Sequence, residues 1–215
     1  MKKGLSVILM LLVIGVGTSW RIQAKRPNVL SLTFSENAVS PALTRLVENG
    51  HTIVKRSYTG SNYSGGANYP NAWSNKLYYE VTWYDILADQ AYTLDFSVSA
   101  SELATLDRDK NHATITIEVG PDADVLVTTA HPTVAKLIAE GRGVELGELS
   151  YEDVPPVVLR ELCAHSLPAS DPVARELKAA HDPDRRHFKD AMRGREYVLQ
   201  HEGPILSRCS KEGGN

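Results

Sequence analysis

The chain has 215 residues, of which 42% are hydrophobic and 23% charged, and its formal net charge is −3. This length favours one domain with a substantial hydrophobic core. Residues 1–24 contain three basic and no acidic side chains, so the remainder carries −6. An acidic chain is a poor candidate for nucleic-acid binding, because a basic face supplies most of the affinity for phosphate.

The N-terminus has the pattern of a secretory signal peptide. Two lysines precede an apolar run at residues 5–16, which is short for a membrane span. Residues 22–24 end in alanine and suit cleavage before the next residue. We predict that residues 1–24 are removed and that the protein is exported, to the periplasm or the extracellular space, without further membrane insertion. A membrane-anchored form is the alternative, because Trp20 and Arg21 suit a membrane interface.

The mature chain is predicted to begin with a strand, a helix and a strand. Residues 28–34 alternate apolar and polar side chains, as a half-buried strand does. The Ser-Pro pair at 40–41 has the pattern of a helix N-cap followed by proline at the first helical position. Apolar residues at 43, 46 and 47 fall on one helical face, and Asn-Gly at 49–50 ends that helix. Residues 51–58 are again extended.

The middle of the chain predicts antiparallel hairpins. Residues 76–86 and 91–98 alternate strictly and are joined by a short turn, which indicates a hairpin with one buried face. Residues 112–119 and 125–129 form a second such pair around the turn GPDAD. On the first strand of the first hairpin, the face predicted to be buried contains Leu77, Tyr79, Val81 and Trp83.

The last third of the chain predicts helices. An amphipathic helix begins at Pro132 and ends at Gly141. Three further Pro-containing helix starts follow Asp153, Ser170 and Asp182.

The predicted fold class is therefore α+β, with an antiparallel β-sheet built from the N-terminal strand-helix-strand unit and the hairpins, and helices gathered at the C-terminal end. We expect a mainly β region at 25–130 that includes one early helix. A helical region at 131–204 would pack on it, and residues 205–215 would form a flexible tail.

Two cysteines, Cys163 and Cys209, are far apart in sequence. In an oxidising compartment they are candidates for a disulfide. The alternative is a buried thiol and a separate cysteine in the tail. Their spacing has no metal-binding pattern.

The Gly- and Asn-rich stretch TGSNYSGGANYPNAWSN, residues 59–75, is predicted to be a long loop. It lacks the Lys-Ser/Thr and the following helix that a phosphate-binding loop needs. Rigid aromatic residues beside small polar ones are typical of protein-binding loops, and long loops are often functional. A mobile connector is the alternative. The candidate contact residues are Asn62, Tyr63, Ser64, Tyr69 and Trp73.

An exported hydrolase is the second functional hypothesis. Ser64 would be its nucleophile, with His51, His112 or His131 as the base. The serine lacks the preceding glycine and the following helix of a nucleophile elbow.

Neither a metal site nor a cofactor is predicted. Asp184, His187 and Asp190 recur at three-residue spacing, which suits one helical face. Basic residues crowd the same segment, which favours a solvated, ion-paired helix. Asp122 and Asp124 are better explained as turn residues than as calcium ligands.

The middle region, residues 60–98, resembles a group of uncharacterised bacterial envelope proteins, which are often lipoproteins and often encoded beside secretion-system effectors. The resemblance implies an exported, non-catalytic protein that binds another protein, of the immunity or inhibitor type. The chain departs from the group in having no lipobox cysteine and in its long C-terminal region. The residues that carry the resemblance are Gly65, Gly66, Pro70, Trp73, Trp83 and Tyr92.

Overall fold

A computed structural model describes residues 29–36, 41–58, 63–68, 76–108, 112–150, 152–201, 203 and 207–209. The predicted signal peptide lies outside these residues. The described part contains two β-sheets and four α-helices, with every helix after residue 131. The predicted α+β class, with helices toward the C-terminal end, is confirmed.

The elements follow the chain in this order. The strands are β1 (Val29–Glu36), β2 (Ala42–Glu48), β3 (His51–Tyr58), β4 (Tyr63–Asn68), β5 (Lys76–Asp85), β6 (Gln90–Ser99), β7 (Ala104–Thr105), β8 (His112–Val119), β9 (Asp124–Thr129), β10 (Val157–Cys163) and β11 (His165–Leu167). The helices are α1 (Pro132–Glu140), α2 (Gly143–Gly147), α3 (Pro172–Ala179) and α4 (Arg186–His201), with a 3₁₀ turn at Ala100–Glu102.

The first sheet has the strand order β10-β9-β8-β1-β4, and β7 pairs with the start of β8. Its β1–β8 pair is parallel, whereas its other pairs are antiparallel. The second sheet has the order β11-β6-β5-β2-β3 and is antiparallel throughout. Both predicted hairpins, β5–β6 and β8–β9, are present.

The early helix predicted between residues 41 and 48 is wrong, because this segment is strand β2 in the middle of the second sheet. Its pairing with β3 shifts register between Thr44 and Leu46 and again between Leu46 and Val47. Because the register is irregular and both faces are buried, the apolar residues of this segment recur at a spacing that resembles that of a helix. A fully buried strand cannot be distinguished from a helix by periodicity alone.

The C-terminal region is not all helical, because the helix predicted after Asp153 is replaced by β10 and β11. The Asp153 carboxylate instead accepts a hydrogen bond from the Ser150 hydroxyl at 2.6 Å, which closes a turn. Two prolines then lead into a run with two valines that pairs with β9. The strand propensity of that run therefore outweighs its helix-start signal.

The hydrophobic core lies between the two sheets. Residues of both sheets form one buried cluster, so the sheets pack face to face. The predicted inner face of β5 is confirmed, since its four residues are at most 2% exposed. The core includes Leu46, Leu77, Tyr79, Val81, Trp83 and Val98 from the second sheet and Ala113, Ile115, Ile117, Val125 and Val127 from the first.

Helix α3 covers one end of the outer face of the second sheet. Ala174 and Leu177 are buried against Leu43, Tyr84 and Ala91. Burial under this helix, together with a hydrogen bond to a neighbouring aspartate, raises the pKa of Tyr84. The rest of this outer face has no helix packed on it among the described elements.

Helix α3 begins with a strong N-cap. The Asp171 carboxylate accepts hydrogen bonds from the amides of Val173 at 2.8 Å and Ala174 at 3.1 Å, and Pro172 occupies the first helical turn. We expect Asp171→Ala to lower the free energy of unfolding by about 1 kcal/mol, whereas Asp171→Ser retains an acceptor and most of the stability. Urea unfolding of the two variants measures this difference, and equal midpoints for both would contradict the cap.

Candidate functional site

The predicted disulfide is present. Cys163 and Cys209 are bonded, with their Cα atoms 5.6 Å apart, and they are separated by 46 positions in sequence. Such a bond fits an oxidising compartment and therefore export. No helix in the described part of the chain is long and apolar enough to cross a membrane.

Residues 207–209 make further contacts besides the disulfide, whereas residues 205–206 and 210–215 of the predicted flexible tail lie outside the described residues. The Arg208 guanidinium donates to both carboxylate oxygens of Asp124, at 3.0 and 2.9 Å, and to Glu161 at 3.2 Å. Ser207 is buried and its hydroxyl donates to the carbonyl of Asp122. Residues 207–209 are thus held against the β8–β9 turn.

The stretch at 59–75 is not a single loop, because its Tyr63–Asn68 segment is strand β4. In this strand Tyr63 is paired with Phe34 and Ser64 with Thr33. The glycine pair at 65–66 lies in the strand as well. Three other candidate contact residues, Asn62, Tyr69 and Trp73, lie outside the described residues.

The structure does not bring Ser64 and His112 together. Through β1, His112 on β8 is level with Asn68 on β4. Ser64 lies four residues from that position, about 13 Å along the strand, whereas a general base must be within about 3 Å. His51 begins β3 in the second sheet, and His131 is the N-cap of α1, where its ring accepts a hydrogen bond from a backbone amide.

Two of the three candidate metal-ligating residues near α4, Asp184 and Asp190, are ion-paired, and nothing is described of the His187 side chain. Asp184 pairs with Lys189 at 3.0 Å, and Asp190 pairs with Arg193 on the next turn of α4. In the β8–β9 turn, Asp122 adopts a positive φ of 50°, as a turn residue does. Within the described residues no group of three or more His, Cys, Asp or Glu is placed to hold a metal ion.

A different surface has the features of a binding site. On the outer face of the second sheet, the part that α3 leaves uncovered forms a shallow cavity of about 450 Å³. We call this surface the open face. Across the β5–β6 pair, Tyr78 lies opposite Ser97 and Glu80 lies opposite Asp95. Across the β2–β5 pair, Glu80 lies opposite Val47. The residues that define the open face are Arg45, Val47, Tyr78, Glu80, Asp95 and Ser97.

Tyr78 is held in place by its backbone while its side chain remains open to solvent. The β2–β3 turn has positive φ at both Asn49 (48°) and Gly50 (81°), which suits a tight hairpin turn. The Asn49 side-chain oxygen accepts from the amide of Tyr78 at 3.1 Å, and the Asn49 amide donates to its carbonyl at 2.8 Å. The residue is 56% exposed. The turn therefore positions a tyrosine whose side chain is available for contact.

The electrostatics of the open face are unbalanced. Glu80 and Asp95 are opposite each other on neighbouring strands, an arrangement of like charges that is destabilising. Arg45 compensates one of them, because its Nη1 lies 2.9 Å from Oε1 of Glu80. Asp95 is exposed and forms no ion pair with a described residue. A cation supplied from outside would relieve this repulsion.

The sequence indicated the alternation that places Tyr78 and Glu80 on the outer side of β5, but it did not single them out. The sequence signal that could have identified them is the presence of an aromatic and an acidic residue on the solvent-facing side of a predicted strand. Neither a family model, nor a curated protein, nor a solved structure matches the chain. The candidate site therefore depends on its own geometry, and the resemblance to envelope proteins stays a prediction.

Proposed function

We propose that this chain is an exported protein that binds another protein through the open face, as an immunity or inhibitor protein does. The observation that carries the proposal is the exposed Tyr78 beside Asp95, which forms no ion pair with a described residue, on a sheet that is packed on its other side. The disulfide supports export.

The side chains of the open face indicate the chemistry of the partner. Tyrosine supplies contact area at a low entropic cost and is enriched among the residues that dominate binding energy. The carboxylates of Glu80 and Asp95 outnumber the single guanidinium of Arg45. The partner is accordingly expected to present a lysine or an arginine opposite Asp95, beside apolar surface that contacts Tyr78.

The interface extends beyond the open face. A standard protein–protein interface removes about 800 Å² from each partner, which is more than six side chains of one sheet supply. Residues 59–75 lead directly into β5, with Trp73 five positions before Tyr78. We propose that Tyr69 and Trp73 contribute the remaining aromatic contacts.

The test begins with capture of a partner by the tagged chain, residues 25–215, from native envelope and secreted extracts, and continues with affinities for the purified partner. We expect Tyr78→Ala to weaken binding at least about 30-fold, as loss of a central contact residue does. We expect Asp95→Lys to weaken binding at low salt far more than at high salt, because the charge that attracts the partner is reversed.

Two control variants match these changes elsewhere on the surface. Tyr197→Ala removes a tyrosine of α4 that is 61% exposed, and Glu148→Lys reverses an exposed acid after α2. Both should bind as the unmodified protein does. A Tyr69→Ala and Trp73→Ala double variant is measured in parallel. If only this double variant loses affinity, the open face is the wrong surface, and if no partner is captured at all, the proposed function is wrong.

A further inference from the structure

A second cavity lies where helix α1 follows β9. It has a volume of about 520 Å³ and is lined by α1, β7, the segment at 107–108, the end of β9 and the start of β10. We call it the α1 cavity. This volume lies within the range of small-molecule sites. Its apolar wall consists of Leu103, Ala104, Ala135, Ala139 and Val157.

The wall of this cavity is fixed by hydrogen bonds. The Thr129 hydroxyl accepts from the amide of Ala104 at 2.9 Å and donates to the carbonyl of Thr114 at 2.7 Å. This single hydroxyl joins β7 to β8 at the point where β9 ends. On the other side, the His131 ring accepts from the amide of Thr133 at 3.2 Å and so caps α1. The cavity is therefore preformed.

The charges of the α1 cavity favour an anion. Glu102 lines it, but its carboxylate is engaged by Arg160 at 2.8 and 3.0 Å, which holds the pKa of Glu102 below its usual range. The Asp107 carboxylate also lines the cavity, and one of its oxygens accepts from the amide of His112 at 2.9 Å. With Arg160 included, three cationic side chains face the two carboxylates, so the formal charge at the cavity is +1.

Two cations at the same cavity remain available. Arg108 and Lys136 both line it, and both are exposed. Neither forms an ion pair with a described residue. The first turn of α1, at Pro132, also borders the cavity, and the positive end of the helix dipole there favours negative charge.

From this arrangement we propose that the α1 cavity binds a small carboxylate that carries an apolar body. The apolar body contacts Leu103, Ala135 and Val157, and the carboxylate lies toward Arg108 and Lys136. An inorganic anion would leave the apolar wall exposed, and a neutral apolar molecule would supply no negative charge to Arg108 and Lys136. The ligand class therefore combines both properties, as a medium-chain acyl carboxylate or an apolar peptide with a free C-terminus does.

Isothermal titration calorimetry of the mature protein with octanoate tests this site. We expect octanoate to bind, and octanol, acetate and inorganic phosphate to bind at least about tenfold more weakly. Octanol lacks the carboxylate, and acetate and phosphate lack the long apolar body. An acetylated Val-Leu-Leu peptide with a free carboxylate, compared with its amidated form, distinguishes a peptide terminus from an acyl chain. Equal affinity for octanoate and octanol would overturn the proposal, as would the absence of octanoate binding to the folded protein.

Variants locate the binding within the cavity. Arg108→Ala and Lys136→Ala should each weaken octanoate binding about tenfold or more, while Arg175→Ala, an exposed arginine of α3, should not change it. Ala139→Leu narrows the cavity and should weaken octanoate binding as well. If the two cavity cations can be removed without effect, octanoate binds elsewhere and the assignment is wrong. None of these variants touches the open face, so this proposal stands or falls independently of the proposed function.

Discussion

Replacing Cys163 and Cys209 together with alanine is expected to lower the free energy of unfolding by about 4 kcal/mol. The bond joins residues 46 positions apart, and a covalent loop of that length removes considerable chain entropy from the unfolded state. The variant also releases the attachment that keeps Arg208 beside Asp124, whose side chain is only 9% exposed. The protein is destabilised when the partner of such a buried aspartate moves away, because a buried charge is left uncompensated.

Urea unfolding of the double variant and of the reduced, unmodified protein should give the same loss. Arg208→Ala with the disulfide intact separates the ion pair from the covalent bond, and we expect it to cost less than the double replacement. If the double variant loses less than about 1 kcal/mol, the C-terminal attachment contributes little and the account of this end of the chain is wrong.

Trp83→Ala is expected to destabilise the protein by about 3–5 kcal/mol, the usual range for removing a buried aromatic residue. Trp83 is 1% exposed and lies between the two sheets, with its ring centroid 5.4 Å from that of Tyr92. Its removal leaves a cavity that both sheets border, and a packed core closes such a cavity only in part.

The matched control for this prediction lies on the same strand. Tyr78→Ala removes an aromatic side chain from the solvent-facing side of β5, and we expect a loss below about 1 kcal/mol. Urea unfolding followed by circular dichroism compares the two variants, and Trp83→Phe should give an intermediate loss. Similar losses for Trp83→Ala and Tyr78→Ala would contradict the face-to-face packing of the sheets.

Local sequence pattern predicts the elements whose apolar residues recur on one side. The β5–β6 hairpin alternates because one face contacts the core, and helices α1 and α3 carry their own start and stop signals. The pattern of β2 predicts a helix instead, because this strand is buried on both sides and irregular in register. The parallel pairing of β1 with β8 joins segments about 80 residues apart, and no local pattern specifies such a contact.

The sequence predicts the candidate site less well than it predicts the fold. Tyr78 and Tyr84 occupy the same face of one strand, yet Tyr78 is 56% exposed and Tyr84 only 6%. The difference arises because α3, nearly a hundred residues later, covers one end of the sheet and not the other. Composition draws attention to residues 59–75, but it does not reveal that Tyr63 and Ser64 begin a strand.

The position of the disulfide also determines how the molecule transmits mechanical tension. The bond encloses β11, α3 and α4 in one covalent loop between Cys163 and Cys209. A force applied at the C-terminus passes directly to the end of β10 and bypasses that loop. Helices α3 and α4 thus carry no load while the bond is intact, and β10, hydrogen-bonded along β9, resists the pull. Reduction of the bond would redirect the same force through α4 and then α3, the helix that covers Tyr84.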